Sequence, residues 1–219
     1  MKVDKKEFQD LSNKERAEIY ADLKKHNELY FGSILSPRMH IHNSRFKSLM
    51  KLIGNVTHKK ILDAGCGEGY FLSRIESNDK IGVELSEKRV STALSYDPKL
   101  TIKIADVKEL PFENNTFDVI VCSEVLEHVS GYEKALQEFK RCVKPDGHIV
   151  LSFPNEFTVS LGRLLLLRFP IHEIDHINSI TPNDASKILG KKYRSLNVPN
   201  FSYPFCLYQV YRYDAVDFK

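Results

Sequence analysis

Residues 59–71 read Lys-Lys-Ile-Leu-Asp-Ala-Gly-Cys-Gly-Glu-Gly-Tyr-Phe. The apolar pair Ile61-Leu62 runs into three glycines at alternate positions, Gly65, Gly67 and Gly69, and a helical stretch resumes behind them. A short apolar run followed by a glycine turn and a helix start predicts a strand–loop–helix unit. Glycine is needed where backbone turns sharply or approaches a ligand closely. The free amides at a helix start favour electron-rich groups. Asp63, just ahead of the loop, would repel a pyrophosphate but can accept bonds from a cationic or hydroxyl-bearing ligand. The spacing is G-x-G-x-G, where a dinucleotide fingerprint needs G-x-G-x-x-G. That argues against a nicotinamide-dependent oxidoreductase. Taken alone, the loop also reads as a plain strand–helix turn.

The same rhythm continues outward. Residues 80–85, 100–106, 117–124 and 147–153 form further apolar runs, and 69–77, 86–95 and 131–142 read as helices. Such alternation predicts a parallel sheet covered on both faces, and Val119-Ile120-Val121 suits a strand buried on both sides. Ser130 with Glu133 fits a capping box, and Tyr132, Ala135, Leu136 and Phe139 then fall on one helix face. Lys144-Pro145-Asp146-Gly147 predicts a closing turn. Thr181, Pro182 and Asp184 mark another helix start. Residues 193–212 predict a closing hairpin, bounded by Pro199 and Pro204, which brings the strands to seven. Two charged helices, about 5–29 and 40–54, precede the sheet. The expected division is a helical cap over 1–56 and an α/β domain over 57–219, with a lid at about 155–180.

Ile81-Gly82-Val83-Glu84-Leu85-Ser86 ends the second strand on an acid. Glu84 lies 84 − 65 = 19 residues after the first loop glycine. In nucleotide-binding α/β domains an acid at about that distance holds the ribose hydroxyls, since a carboxylate can accept from both. The bland reading is an exposed acid ahead of a helix cap at Ser86.

These residues resemble the class I S-adenosylmethionine-dependent methyltransferases. Asp63-Ala64-Gly65-Cys66-Gly67-Glu68-Gly69 is similar to that family's first motif. Ala105-Asp106-Val107, before Leu110-Pro111-Phe112, resembles the segment framing the adenine. Phe117-Asp118-Val119-Ile120 and Cys122-Ser123-Glu124-Val125-Leu126-Glu127-His128-Val129 resemble the fourth-strand motif, and Lys144 to Val150 resembles the turn into strand five. The likeness covers about 59–155. It implies a Rossmann-like, doubly wound, mostly parallel seven-stranded sheet with N-terminal helices and a C-terminal hairpin. It implies S-adenosyl-L-methionine as cofactor and S-adenosyl-L-homocysteine as product. The residues it assigns to the cofactor are Asp63, Gly65, Cys66, Gly67, Gly69, Glu84, Leu85, Asp106, Val107 and Ser123, with Asp106 accepting from the adenine amine. Arg38 to Arg45 resembles a helix of ubiquinone-biosynthesis-type O-methyltransferases, in which Arg45 would reach the cofactor's carboxylate. A solvated helix arginine is the other reading. His172 to Pro182 is similar to the His-rich segment after strand five in that group.

Methyl transfer from a sulfonium is an in-line displacement, so the protein chiefly orients donor and acceptor. A hydroxyl acceptor also needs a base. His128 follows the fourth strand and reads as mainly structural. His172 is the first candidate base and His176 the second; four apart, they share a face if helical. Solvated lid histidines are the alternative. With Asp175 they are too few to argue for a metal, and no metal is expected. The apolar 157–169 stretch reads as a packed helix or a homodimer contact, or else as an acceptor-pocket wall or a membrane-surface contact.

Composition bounds the rest. Lys+Arg 32 against Asp+Glu 29 gives +3, which makes no case for a nucleic-acid partner. Cys66, Cys122, Cys142 and Cys206 form no CxxC pair, so neither a zinc site nor a disulfide framework is expected. The start is charged and the longest apolar run is far too short to span a bilayer. A cytoplasmic enzyme that methylates a small-molecule acceptor, at oxygen, is the leading expectation. Alternatives are a non-catalytic S-adenosylmethionine-binding regulator and a methyltransferase acting on protein or nucleic acid. Against the last, Ser152-Phe153-Pro154-Asn155 lacks the Asn/Asp-Pro-Pro-Tyr sequence of amino-directed DNA enzymes.

Overall fold

The computed structural model describes residues 11–25, 37–155, 157–158, 160–161, 176–191, 193–198, 206 and 208–218. Helices α1 (Asn13–Lys25) and α2 (Pro37–Ile53) come first. Then β1 (Lys60–Ala64), α3 (Tyr70–Arg74), β2 (Asp79–Glu84), α4 (Glu87–Tyr96) and β3 (Ile102–Ile104) follow in turn. After them come β4 (Phe117–Ser123), a 3₁₀ turn (Leu126–His128), α5 (Tyr132–Cys142) and β5 (Val143–Pro154). The chain closes with α6 (Pro182–Leu189), β6 (Arg194–Val198) and β7 (Tyr208–Asp214).

The seven strands form one sheet in the order β3-β2-β1-β4-β5-β7-β6. β1 to β5 pair in parallel, and β7 runs antiparallel to both β5 and β6. This is the Rossmann-like doubly wound sheet with a C-terminal hairpin. The order reverses beside β1, which opens a crevice between β1 and β4 at the carboxyl edge, where ligands bind in open α/β sheets.

Period-two alternation explains the two cores. Ile61, Val119, Val121, Val150 and Val210 point to one face and pack with Leu49, Leu52 and Ile53 of α2. Leu62, Ile120, Ile149 and Leu151 point to the other and pack with Leu136 and Phe139 of α5 and Leu189 of α6. Truncating a fully buried phenylalanine such as Phe139 would cost about 3–5 kcal/mol.

Local signals fared unevenly. The helix start expected at Thr181 forms, and Asp184 completes a capping box there by accepting the Thr181 amide. The Ser130 box does not: Gly131, at φ 73°, caps α5 without a side-chain bond. Ser130 instead gives its amide to Asn13 Oδ1 of α1 at 3.2 Å. The expected 144–147 turn is absorbed as an irregularity in β5, where pairing jumps from Phe117–Val143 to Val119–His148. α3 is shorter than the predicted 69–77 because it ends at Arg74. His148 is buried, with Nε2 3.0 Å from the Ile53 carbonyl at the end of α2. Burial pulls its pKa down to about 4, so the neutral ring donates to that carbonyl.

Candidate functional site

The glycine loop leaves β1 pinned to β2, because Gly65 and Cys66 both donate to the Val83 carbonyl, at 2.7 and 2.9 Å. Gly65, Gly67 and Gly69 hold φ values of 80°, 56° and 73°, a region that side chains enter only with strain. A Cβ at Gly65 would sit 2.5 Å from Val125 Cγ2, and one at Gly67 would collide with the Arg89 guanidinium. The loop is therefore pressed between the end of β4 and the start of α4, with its backbone towards the crevice.

Two acids lie under it. Asp63 is 3% exposed, and its Oδ2 has no partner among the described residues. Burial, and then the Glu84 charge, push its pKa up to about 7. Glu84 behaves differently. Its Oε2 accepts from the Gly67 amide at 2.9 Å, and Oε1 accepts from the Leu85 and Ser86 amides, both at 2.9 Å. Arg89 Nη1 stands 3.5 Å from Oε2. Charge-assisted bonds of this kind are the strong ones, so Glu84 clamps the glycine loop to the start of α4.

The other expected residues gather along the same edge. Asp106 follows β3 and accepts the Lys108 amide at Oδ1, 2.9 Å; Val107 beside it is buried. The Cys66 thiol faces inward beneath the loop, where a Cβ on Gly82 would lie 2.6 Å from its sulfur. Ser123, at the end of β4, sits 2.8 Å from the Ser152 hydroxyl. Arg45 reaches this edge from α2, with Nη1 3.5 Å from Glu124 Oε2 and the guanidinium 5.1 Å from the Tyr208 ring centroid.

A second cluster follows β4. Glu124 has a φ of 56° and accepts the Ser152 hydroxyl at 2.8 Å. The 3₁₀ turn then buries Glu127 to 1% exposure, and neither carboxylate oxygen has a partner among the described residues. Burial and the neighbouring Glu124 charge raise the Glu127 pKa well above the usual carboxylate range. The amides of Ile177 and Asn178 donate to the Glu127 carbonyl at 2.9 and 3.1 Å, and Asn178 Nδ2 donates to the Leu126 and Val129 carbonyls. These bonds bring His176 beside the turn, with its ring centroid 5.0 Å from that of His128. His172 and residues 162–175 of the expected lid lie outside the described residues. So do two further positions of that segment, 156 and 159.

Helix α1 crosses above this edge. At its start Asn13 takes the Ser130 amide, and near its middle Glu18 Oε1 takes the Glu87 amide at 2.9 Å. Sequence reasoning gave no role to Glu127, Glu124, Arg89 or Asn13. Glu127 carries no spacing signal, because its isolation is created by the 3₁₀ turn and the returning 176–178 segment.

Residues 62–151 match the family model described as "Methyltransferase domain". A Mycobacterium tuberculosis protein named "Probable S-adenosylmethionine-dependent methyltransferase" is 32% identical over 115 residues, covering 52% of this chain and 42% of that one. The ubiquinone biosynthesis O-methyltransferase of Aliivibrio fischeri is 28% identical over 168 residues, covering 71% and 72%. The magnesium protoporphyrin IX methyltransferase structure from Synechocystis PCC 6803, with bound S-adenosylhomocysteine, shares the fold at TM-score 0.66 and 18% identity, covering 92% of this chain and 98% of that one. The match to the mycobacterial relative spans less than half of that protein's length. Residues 62–151 are thus similar to a methyltransferase domain, and the sheet that holds them has the Rossmann-like fold of the Synechocystis methyltransferase structure. Among the described residues no helix is long and apolar enough to cross a membrane.

Proposed function

We propose that the protein transfers the methyl group of S-adenosylmethionine to a hydroxyl oxygen of a small molecule. The single observation that carries the reading is the pairing of the glycine loop with two buried acids of opposite character. Asp63 offers an orphaned oxygen beneath a cradle that a Cβ would fill, and Glu84 fixes the loop. That donor set fits a ligand with a cationic end and a hydroxylated ring. In this assignment Asp63 and the Gly65–Gly69 backbone hold the methionine end. Glu84, with the Leu85 backbone, meets the ribose, and Asp106 with Val107 frames the adenine. Cys66 supports the loop from beneath, Ser123 lines the floor, and Arg45 stands at the amino-acid end.

The bound cofactor supplies an electrophilic methyl carbon on a sulfonium. The chain's own task is alignment, which in well-placed systems contributes up to roughly 7–11 kcal/mol. The acceptor proton must also leave, and base assistance is typically worth about 10²–10⁴-fold. We assign that task to the cluster of Glu127, His128 and His176, and keep His172 as a candidate. The oxygen acceptor is supported by the 28% identity to an O-methyltransferase over most of both chains. Residues 1–56 serve as a cap over the site, and the segment at 155–180 as its lid. Labelled S-adenosylmethionine with panels of phenols, catechols and hydroxy acids tests the reading. Transfer to oxygen is expected. Transfer only to amines, protein or RNA would overturn the acceptor assignment.

A further inference from the structure

We propose that Glu138 and Arg141 are positioning residues for base selectivity: they hold the 106–112 segment so that Asp106 accepts from the adenine amine and rejects a purine that lacks it. The inference deepens the donor reading and rests on its assignment of Asp106 to the adenine.

Residues 105–116 join β3 to β4 without helix or strand. Such a connection has few ladder bonds of its own, so side chains must fix it. At its start the chain turns on itself. The Glu109 amide donates to the Asp106 carbonyl and the Lys108 amide to Asp106 Oδ1, both at 2.9 Å. That turn sets the Asp106 carboxylate relative to its own backbone, but not relative to the sheet. Val107 and Leu110 bury their side chains in the core and fix the depth of the segment. Apolar burial is non-directional, so its orientation falls to polar contacts. Leu110, the residue after the turn, makes them with both backbone groups. Its amide donates to Glu138 Oε2 at 2.8 Å, and its carbonyl accepts from Arg141 Nη2 at 3.1 Å.

Arg141 continues along the segment. Nη1 donates to the Phe112 carbonyl at 2.7 Å and to Asn114 Oδ1 at 3.0 Å. Nε and Nη2 grip Glu138 Oε1 and Oε2 at 2.8 and 2.7 Å. A guanidinium carries five N–H donors in one plane, and these contacts use every one. A charge pair at i, i+3 on a helix is ordinarily a solvated surface pair of small worth. This one is bidentate, part-buried and turned from the end of α5 onto a loop. The fork is particular to arginine. A lysine ammonium would replace the charge, but it cannot address two carbonyls and a carboxylate in one plane.

The consequence is selectivity. A hydrogen bond to the amine is directional, so it is lost when the segment shifts. The glycine loop and Glu84 belong to β1 and β2, and their contacts with the rest of the ligand survive that shift. A purine with a 6-oxo group in place of the amine turns an acceptor towards the Asp106 carboxylate, and the two repel. Glu138 and Arg141 thus act on the base through Asp106.

The test compares calorimetric affinities of the full chain for S-adenosylhomocysteine and S-inosylhomocysteine, with circular dichroism to verify folding. A bond from the amine to a charged acceptor sets the expected native preference for adenine at roughly 10–100-fold. Arg141→Lys and Glu138→Gln, both conservative in size, should each bring the two affinities near parity, mainly by weakening the adenine ligand. Asp106→Asn should do the same, because an amide can face either an amine or an oxo group. Adding Arg141→Lys to Asp106→Asn should change the ratio no further. A merely structural role would weaken both ligands alike, so the native preference kept in folded Arg141→Lys and Glu138→Gln overturns the proposal. If Asp106→Asn loses the preference while those two keep it, the adenine assignment stands and the positioning role falls. If Asp106→Asn keeps it, the adenine assignment falls and the positioning role with it.

Discussion

Asp63 gives a prediction whose size follows from the structure. Its pKa stands at about 7 in the folded chain against an ordinary 3.8. That difference corresponds to about 4 kcal/mol of linked stability. The unfolded chain releases this proton first. Stability is therefore full below about pH 4 and is lost as pH rises towards 7. Asp63→Asn removes that linkage while keeping the size. Urea unfolding of the variant and the native chain should agree at pH 4. By pH 8 the variant should be more stable by on the order of 4 kcal/mol. The comparison isolates Asp63, because every other titrating group is common to both. A cationic ligand over Asp63 should reverse the shift. Cofactor binding near pH 6.5 should then release up to one proton, read by calorimetry in buffers of differing ionisation enthalpy. A stability difference that does not change between pH 4 and 8 would refute the buried-acid account. Binding without proton release would refute the contact between Asp63 and the ligand's cationic end.

Other perturbations test neighbouring parts. Gly65→Ala places a Cβ at positive φ and against Val125; S-adenosylhomocysteine affinity should fall at least about tenfold, with a strain of about 1–2 kcal/mol in urea unfolding. Glu84→Gln keeps the shape but removes the charge that the Gly67, Leu85 and Ser86 amides and Arg89 address. Stability should drop by about 1.5–3 kcal/mol, and cofactor affinity should drop with it. His148 works in the opposite sense to Asp63. Its pKa of about 4 lies below the ordinary 6.5, so the stability it contributes is present above pH 6.5 and lost as pH falls towards 4. His148→Gln should relieve about 3 kcal/mol of that acid loss, seen by comparing urea midpoints at pH 7 and pH 4.5.

The sheet was legible because period-two burial writes itself into the strands: Ile61/Leu62 and Val119/Ile120/Val121 face alternate cores. The glycine loop was legible because its residues answer to backbone geometry, which is local. The two caps show where local reading stops. Thr181 has no rival for its box, whereas Ser130 is claimed by Asn13, 117 residues away in sequence. The same holds at the site. Glu84 was found by its distance from Gly65, but its clamping of the loop depends on three amides that only the fold brings together. Glu127 stands in an unremarkable Glu-His pair. Its isolation arises from burial in a 3₁₀ turn and from a segment some fifty residues on that returns to the same carbonyl. Charge and hydrogen-bond deficits are three-dimensional quantities, and spacing does not encode them.

Asp63, the Gly65–Gly69 loop and Glu84 are the proposed donor site. Calorimetric titration of the full chain with S-adenosylmethionine tests it most directly, with Gly67→Arg and Glu84→Ala run in parallel and far-ultraviolet circular dichroism to verify folding. The predicted result is saturable binding of one molecule per chain, abolished in Gly67→Arg and weakened in Glu84→Ala. A folded chain that binds none, or variants that bind as the native protein does, would contradict it.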